Sequence, residues 1–151
     1  MPAITEKELI EDIKKADFKS VYLIYGNEDY LKKYYSSAII KKAVTDFEDL
    51  NLHRFDSSVK VDDIIAAADA IPMMSDYSCV SVCDYNFASA DETEVEKLVD
   101  LISDMPEGCV LLLRLEQLSI TPSKSAKAKK VFNAVKKYDA LVERTLREEA
   151  D

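Results

Sequence analysis

Val21-Tyr22-Leu23-Ile24-Tyr25-Gly26-Asn27-Glu28-Asp29-Tyr30-Leu31 is the stretch on which the reading of this chain turns. A short apolar run ended by glycine predicts a buried strand. Asn27 is placed to cap the helix that follows, in which Leu31, Tyr34, Tyr35, Ala38, Ile39 and Ala43 recur at helical spacing. A strand that turns through glycine into a helix is the place where nucleotide-binding α/β proteins hold phosphate, on the positive end of the helix dipole. Here Glu28 and Asp29 put two carboxylates into the first turn. They satisfy the dipole internally and repel phosphate. The position is built like a phosphate site but is chemically closed to it.

Working outward, the same alternation continues. Upstream, Ile4-Thr5-Glu6-Lys7-Glu8-Leu9 predicts a helix start with Thr5 as cap, Glu8 completing a capping box and Ile4 stapled onto Leu9, the helix running to about Ala16. Downstream, Leu52 to Phe55 is a second strand, and Val61, Ile64, Ile65 and Ala68 mark a helix stopped near Ile71 by Pro72. Cys79 to Asp84 is a third strand, and Val95, Leu98, Val99 and Ile102 mark a helix ended before Pro106. Val110 to Leu115 is the most apolar run and predicts a central strand buried on both faces. Ala128, Val131, Phe132, Val135 and Tyr138 give a further helix, and Leu141 to Glu143 a last strand. This order predicts an α/β fold: one parallel five-stranded sheet flanked by helices.

Composition narrows the function. The chain has 151 residues, enough for one domain and one core. Twenty Lys and Arg against 29 Asp and Glu leave a net charge of −9, which argues against broad binding of nucleic acid or anionic membrane by this chain alone. No apolar run is long enough to span a membrane, and the acidic N-terminus has no apolar segment of the signal-peptide kind. Only two glycines are present, Gly26 and Gly108, so neither a glycine-rich phosphate loop nor a dinucleotide fingerprint can be built. Cys79, Cys83 and Cys109 show no CxxC spacing, and His53 is the one histidine. A zinc site is therefore not expected, and apolar-embedded thiols of odd number fit a reducing cytoplasm.

Four further features sit at predicted strand ends and loops. Asp84 ends the third strand as an acidic metal-holding residue does in nucleotide-binding proteins, but Tyr85 stands where a second carboxylate would activate water. An alternative groups Glu28, Asp29 and Asp84 as the acidic pocket of a receiver-like phosphoacceptor. Its weakness is Glu143-Arg144 where that chemistry wants a lysine. Met73 and Met74 are adjacent within Ile71-Pro72-Met73-Met74-Ser75-Asp76-Tyr77. Neighbours on a helical turn point about 100° apart, so at least one must be exposed, and methionine's deformable side chain suits a partner surface. Eight acids between Asp84 and Glu107, and six lysines between Lys124 and Lys137, read first as solvated helix faces. The lysine run lacks interleaved aromatics that would stack bases.

The segment Val21 to Leu31 resembles the opening strand and turn of the delta subunit of bacterial DNA polymerase III. Asn51-Leu52-His53-Arg54-Phe55-Asp56 resembles that family's second strand, and Ala68-Asp69-Ala70-Ile71-Pro72-Met73-Met74-Ser75 its helix end, with the similarity running over about residues 18–145. The resemblance implies a fold like that of AAA+ and RecA-like P-loop NTPases without a P-loop, Gly26, Asn27, Glu28, Asp29 and Asp84 marking a degenerate nucleotide site. It implies no enzymatic activity and no cofactor in this chain, within the larger assembly of a DNA-directed DNA polymerase. It implies that Met73 and Met74, flanked by Ile71 and Pro72, plug a pocket on the sliding clamp and help open the ring. Residues 1–151 would then be the N-terminal domain alone, without the lid and collar that assemble the loader. Other clamp-loader subunits are expected partners, one of them on the Lys124–Lys137 helix. DNA contact would be indirect at most, and the location cytoplasmic.

Overall fold

The computed structural model describes residues 6–25, 29–116, 118, 120, 125–138 and 140–143. The element order is α1 (Glu6–Lys15), β1 (Val21–Tyr25), α2 (Asp29–Ala43), α3 (Glu48–Asn51), β2 (Leu52–Phe55), α4 (Val61–Ala68), β3 (Ser78–Cys83), α5 (Glu92–Ser103), β4 (Cys109–Arg114), α6 (Ala126–Tyr138) and β5 (Ala140–Glu143). The body of the sheet is β2-β3-β4-β1, and β5 adds parallel pairing along the outer edge of β1. Every pairing is parallel, with Val21 opposite Leu111 and Val80 also opposite Leu111 in the adjoining ladders.

Both faces are covered, so β1 is buried throughout and β4 from Cys109 to Leu113. Period-two alternation splits each strand between two cores. Val21, Leu23, Val80, Val82, Leu111 and Leu113 pack under α4, α5 and α6. Tyr22, Ile24, Cys79, Val110 and Leu112 pack under α1 and α2. On the first face Phe132 stands edge-on to both Tyr25 and Phe87, at centroid distances of 4.8 and 5.9 Å, a geometry favoured by the ring quadrupoles. On the second face the hydroxyl of fully buried Tyr22 donates to Asp12 Oδ2 at 2.7 Å, which also takes Lys19 Nζ at 2.7 Å.

Several sequence expectations need correction. The helix ahead of Pro72 ends at Ala68 rather than near Ile71, with Asp69 as its C-cap, because the approach to proline must leave the helical region. The short helix α3 was not expected at all; four residues are too few to show a period. Tyr34, expected on the buried stripe of α2, is exposed, and Tyr35, Ile39, Ile40 and Ala43 hold the core side together with buried Ser36. The capping roles assigned to Thr5 and Asn27 lie outside the described residues.

Candidate functional site

The two ends of a parallel sheet have different neighbours, and the candidate residues fall into both groups. At the carboxyl ends of the strands lie Asp84, after β3, and Glu116, after β4. Asp84 adopts φ 60°, a left-handed conformation that Asp tolerates better than most residues. Its Oδ1 accepts hydrogen bonds from the backbone N–H groups of Glu116 at 2.8 Å and Leu118 at 3.2 Å. Cys83 Sγ is 3.3 Å from Glu116 Oε2 and 3.6 Å from Asp84 Oδ2, and Arg114 Nη2 is 3.7 Å from Glu116. Burial raises the Cys83 thiol above its ordinary range, Arg114 opposing and Glu116 reinforcing that shift. Cys83, Asp84 and Glu116 thus bring ligand-type atoms within 4.8 Å of one another, but one carboxylate oxygen already serves two amides. The arrangement fastens the loop after β4 to the end of β3.

The receiver-like alternative is not supported. That chemistry needs the acid pocket after the first strand to adjoin the acceptor aspartate after the third, as in a sheet of order 2-1-3-4-5. Here β4 lies between β1 and β3, and Asp84 is held by the backbone of the next strand's loop. Gly26, Asn27 and Glu28 lie outside the described residues, and Asp29 opens α2.

At the amino ends of the strands the segment from Asp69 to Tyr77 links α4 to β3. It carries Ile71, 81% exposed, Met73, 52%, and Met74, 79%. Both methionines are outside, and the segment is not helical: Met74 sits at φ 57°. A non-glycine residue held in that region is a mark of imposed conformation. What imposes it is Asn51, at the end of α3, which is fully buried. Its Nδ2 donates to Met73 O and to Asp46 O, both at 2.8 Å, and its Oδ1 accepts from Met73 N–H at 2.7 Å. One amide therefore grips both backbone groups of Met73 and ties them to the loop between α2 and α3. Ser75 adds a second tie: its Oγ accepts from Thr45 N–H at 3.1 Å and lies 2.9 Å from Tyr77 O and 3.2 Å from Ala43 O. Pro72 rests against Gly108, where an added Cβ would stand 3.4 Å from the ring, and Gly108 itself has φ 80°.

Ile71, Met73 and Met74, grouped with Pro72 from the sequence, are all exposed, whereas Asn51, Ser75, Phe47 and Leu50 went unnoticed there. Those two apolar side chains, both more than half exposed, precede Asn51 in sequence, Phe47 as the N-cap of α3 and Leu50 within it, and belong to the same edge. Of the eight exposed large hydrophobic residues among those described, five lie here, which makes this edge the main apolar surface of the domain. The lysine-rich helix α6 has Ser125 as its N-cap, with Ala128 N–H on Ser125 Oγ at 3.1 Å. Lys127 Nζ is 2.6 Å from Ala90 O, so that residue is tied to the protein, while Lys129 and Lys130 are exposed.

Fold and edge together define a parallel α/β domain, helices on both faces, with a rigidly presented apolar loop at the amino ends of its strands. The sequence profile of the family described as DNA polymerase III, delta subunit, matches residues 22–144, and the chain belongs to that family. Among solved structures it is similar to the Bacillus subtilis DNA clamp loader delta protein YqeN, with 26% identity and a TM-score of 0.74 over 92% of this chain and 42% of that one. A DNA polymerase III gamma subunit-related protein from Thermotoga maritima shares the fold at 12% identity and a TM-score of 0.64, covering 94% of this chain and 47% of that one. The chain spans less than half the length of either. No curated protein matches it. Among the described residues no helix is long and apolar enough to cross a membrane.

Proposed function

We propose that this domain is the clamp-gripping part of a clamp-loader delta subunit. It docks on the sliding clamp through Met73 and Met74, with Ile71 and Pro72 beside them, and helps to open the ring for loading at primed DNA. The observation that carries this reading is the exposed methionine pair whose backbone is fixed by a buried asparagine. An apolar surface element loses little freedom on binding when its backbone is already ordered. Two thioether side chains seated in a pocket are expected to contribute roughly 2 kcal/mol each.

The domain itself does not hydrolyse ATP in this reading. The two glycines and the acids Glu28 and Asp29 leave the phosphate position closed. Other loader subunits, working in the cytoplasm and joined through further domains, supply the hydrolysis.

The test is the double variant Met73→Ala/Met74→Ala, measured for binding to the sliding clamp by surface plasmon resonance. Binding weakens by more than tenfold with an unchanged melting temperature. Full-strength binding by this variant removes the assignment.

A further inference from the structure

An open groove of about 690 Å³ runs beside α2, lined by Tyr30, Lys33, Tyr34, Lys41, Arg54 and Arg114 among others. Among the described residues no carboxylate lines it, although the chain carries a net charge of −9. Tyr30 and Tyr34 are 72% and 56% exposed. They stand one helical turn apart with rings near parallel, at 19° and 6.3 Å between centroids. The core does not need Tyr30, since Tyr35 fills the inward position of this turn. The cations come from three elements: Lys33 and Lys41 on α2, Arg54 on β2 and Arg114 at the end of β4. Among the described residues no carboxylate pairs with Lys33 or Lys41. Arg54 meets Glu48 across an exposed 4.0 Å contact, which is worth little. Arg114 is 3.7 Å from Glu116, yet its Nε is buried with no hydrogen-bond partner.

We infer that this groove binds single-stranded nucleic acid, the phosphates lying on Lys33, Lys41, Arg54 and Arg114 and the bases on Tyr30 and Tyr34. Positive charge alone would serve an acidic peptide equally. The two exposed parallel phenol rings decide for nucleic acid, because unpaired bases have faces to stack and carboxylate side chains do not. A duplex keeps those faces covered. Nothing in the groove is arranged to read base edges, so binding is independent of sequence, modest and sensitive to salt. The inference stands apart from clamp docking, which uses the loop between α4 and β3.

The experiment is fluorescence anisotropy of a fluorescein-labelled oligothymidylate titrated with the whole chain at low salt. Saturable binding is expected, with a logarithmic salt slope of about −2 to −3, from ~0.7 per phosphate for three to four cations. Tyr30→Ala weakens binding at least fivefold, and circular dichroism confirms an unchanged fold. Lys33→Gln lowers the salt slope by about 0.7, which registers the phosphate contact separately from the stacking. The inference is overturned by absent binding at low salt, by equal binding of a duplex of the same length, or by a Tyr30→Ala variant that binds as wild type. Displacement by polyglutamate from a Tyr30→Ala variant with full affinity would reassign the groove to acidic peptides.

Discussion

The two ends of the sheet use polar side chains in opposite ways. At the carboxyl ends, Asp84 turns its carboxylate inward onto the amides of Glu116 and Leu118. The loop it secures carries no projecting apolar group among the described residues. At the amino ends, Asn51 also turns inward, but the backbone it holds belongs to Met73, and the side chains of Met73 and Met74 are left outside. One buried polar residue closes a loop, and the other displays one. The same device, a short side chain satisfying neighbouring backbone groups, gives a sealed end and an exposed apolar end of a single sheet. A ligand-binding α/β fold ordinarily works at its carboxyl end; in this domain the exposed apolar surface has moved to the other.

The largest effect that would break this comparison is at Asn51. Asn51→Ala leaves Met73 N–H and the carbonyl groups of Met73 and Asp46 without their partner. We expect a loss of about 2–3 kcal/mol in urea unfolding, in line with several unsatisfied backbone groups. Clamp affinity falls as well, although both methionines remain. A variant as stable as wild type would show that the loop holds itself. Asp84→Ala sharpens the contrast from the other end. It costs about 1–2 kcal/mol by the same measurement but leaves clamp binding unchanged, and Asp84→Asn, which keeps an acceptor, costs less. Gly108→Ala is milder, at about 1 kcal/mol, because alanine at φ 80° is strained. It also presses on Pro72, so a small loss of clamp affinity accompanies it; crystal structures of the two forms would show the displaced loop.

The effects that vanish at neutral pH concern ionisation. Burial lifts the Cys79 thiol from near 9 to about 12, and burial with Glu94 lifts the Tyr85 phenol from 10 to about 12. Both groups stay neutral in the folded chain after the unfolded chain has lost the proton. Their contribution to stability is therefore complete below pH 9 and is lost as pH rises toward 12. Melting temperature recorded from pH 8 upward should fall steadily over that window. In the folded protein Cys83, which is only partly buried, reacts with a thiol reagent before Cys79 and Cys109. Equal rates for all three would mean that the sheet opens on the timescale of labelling.

Much of the fold was legible because burial on both faces leaves a plain trace. Val21 to Tyr25 and Val110 to Leu113 are apolar throughout, as central parallel strands require. The helices α4, α5 and α6 show their inward stripe in the spacing of Val61, Ile64 and Ala68, of Val95, Leu98 and Ile102, and of Val131, Phe132 and Val135. α2 was harder, since tyrosines stand on both of its sides and the period does not tell Tyr34 from Tyr35. The exposed apolar edge was half legible. Two adjacent methionines after a proline point to an exposed apolar pair, and the resemblance to the delta subunit family pointed to the same residues. Asn51 gave no sign, because its partners Asp46 and Met73 are respectively five and 22 positions away and a backbone group has no letter in the sequence. The signal that went unused was Tyr30, Lys33, Tyr34 and Lys41 at helical spacing, an aromatic and basic alternation on one helix.

The amino-acid sequence alone determined the α/β class and the run of the main elements apart from the short helix α3, because patterning is a property of neighbours along the chain. Tertiary structure alone decided the order β2-β3-β4-β1, which separates Asp84 from β1, and the outward set of Met73 and Met74 by a distant asparagine. It also gathered Arg54 and Arg114 beside the tyrosines of α2. Each of these depends on hydrogen bonds or on distances between segments far apart in the chain, and no local pattern encodes them.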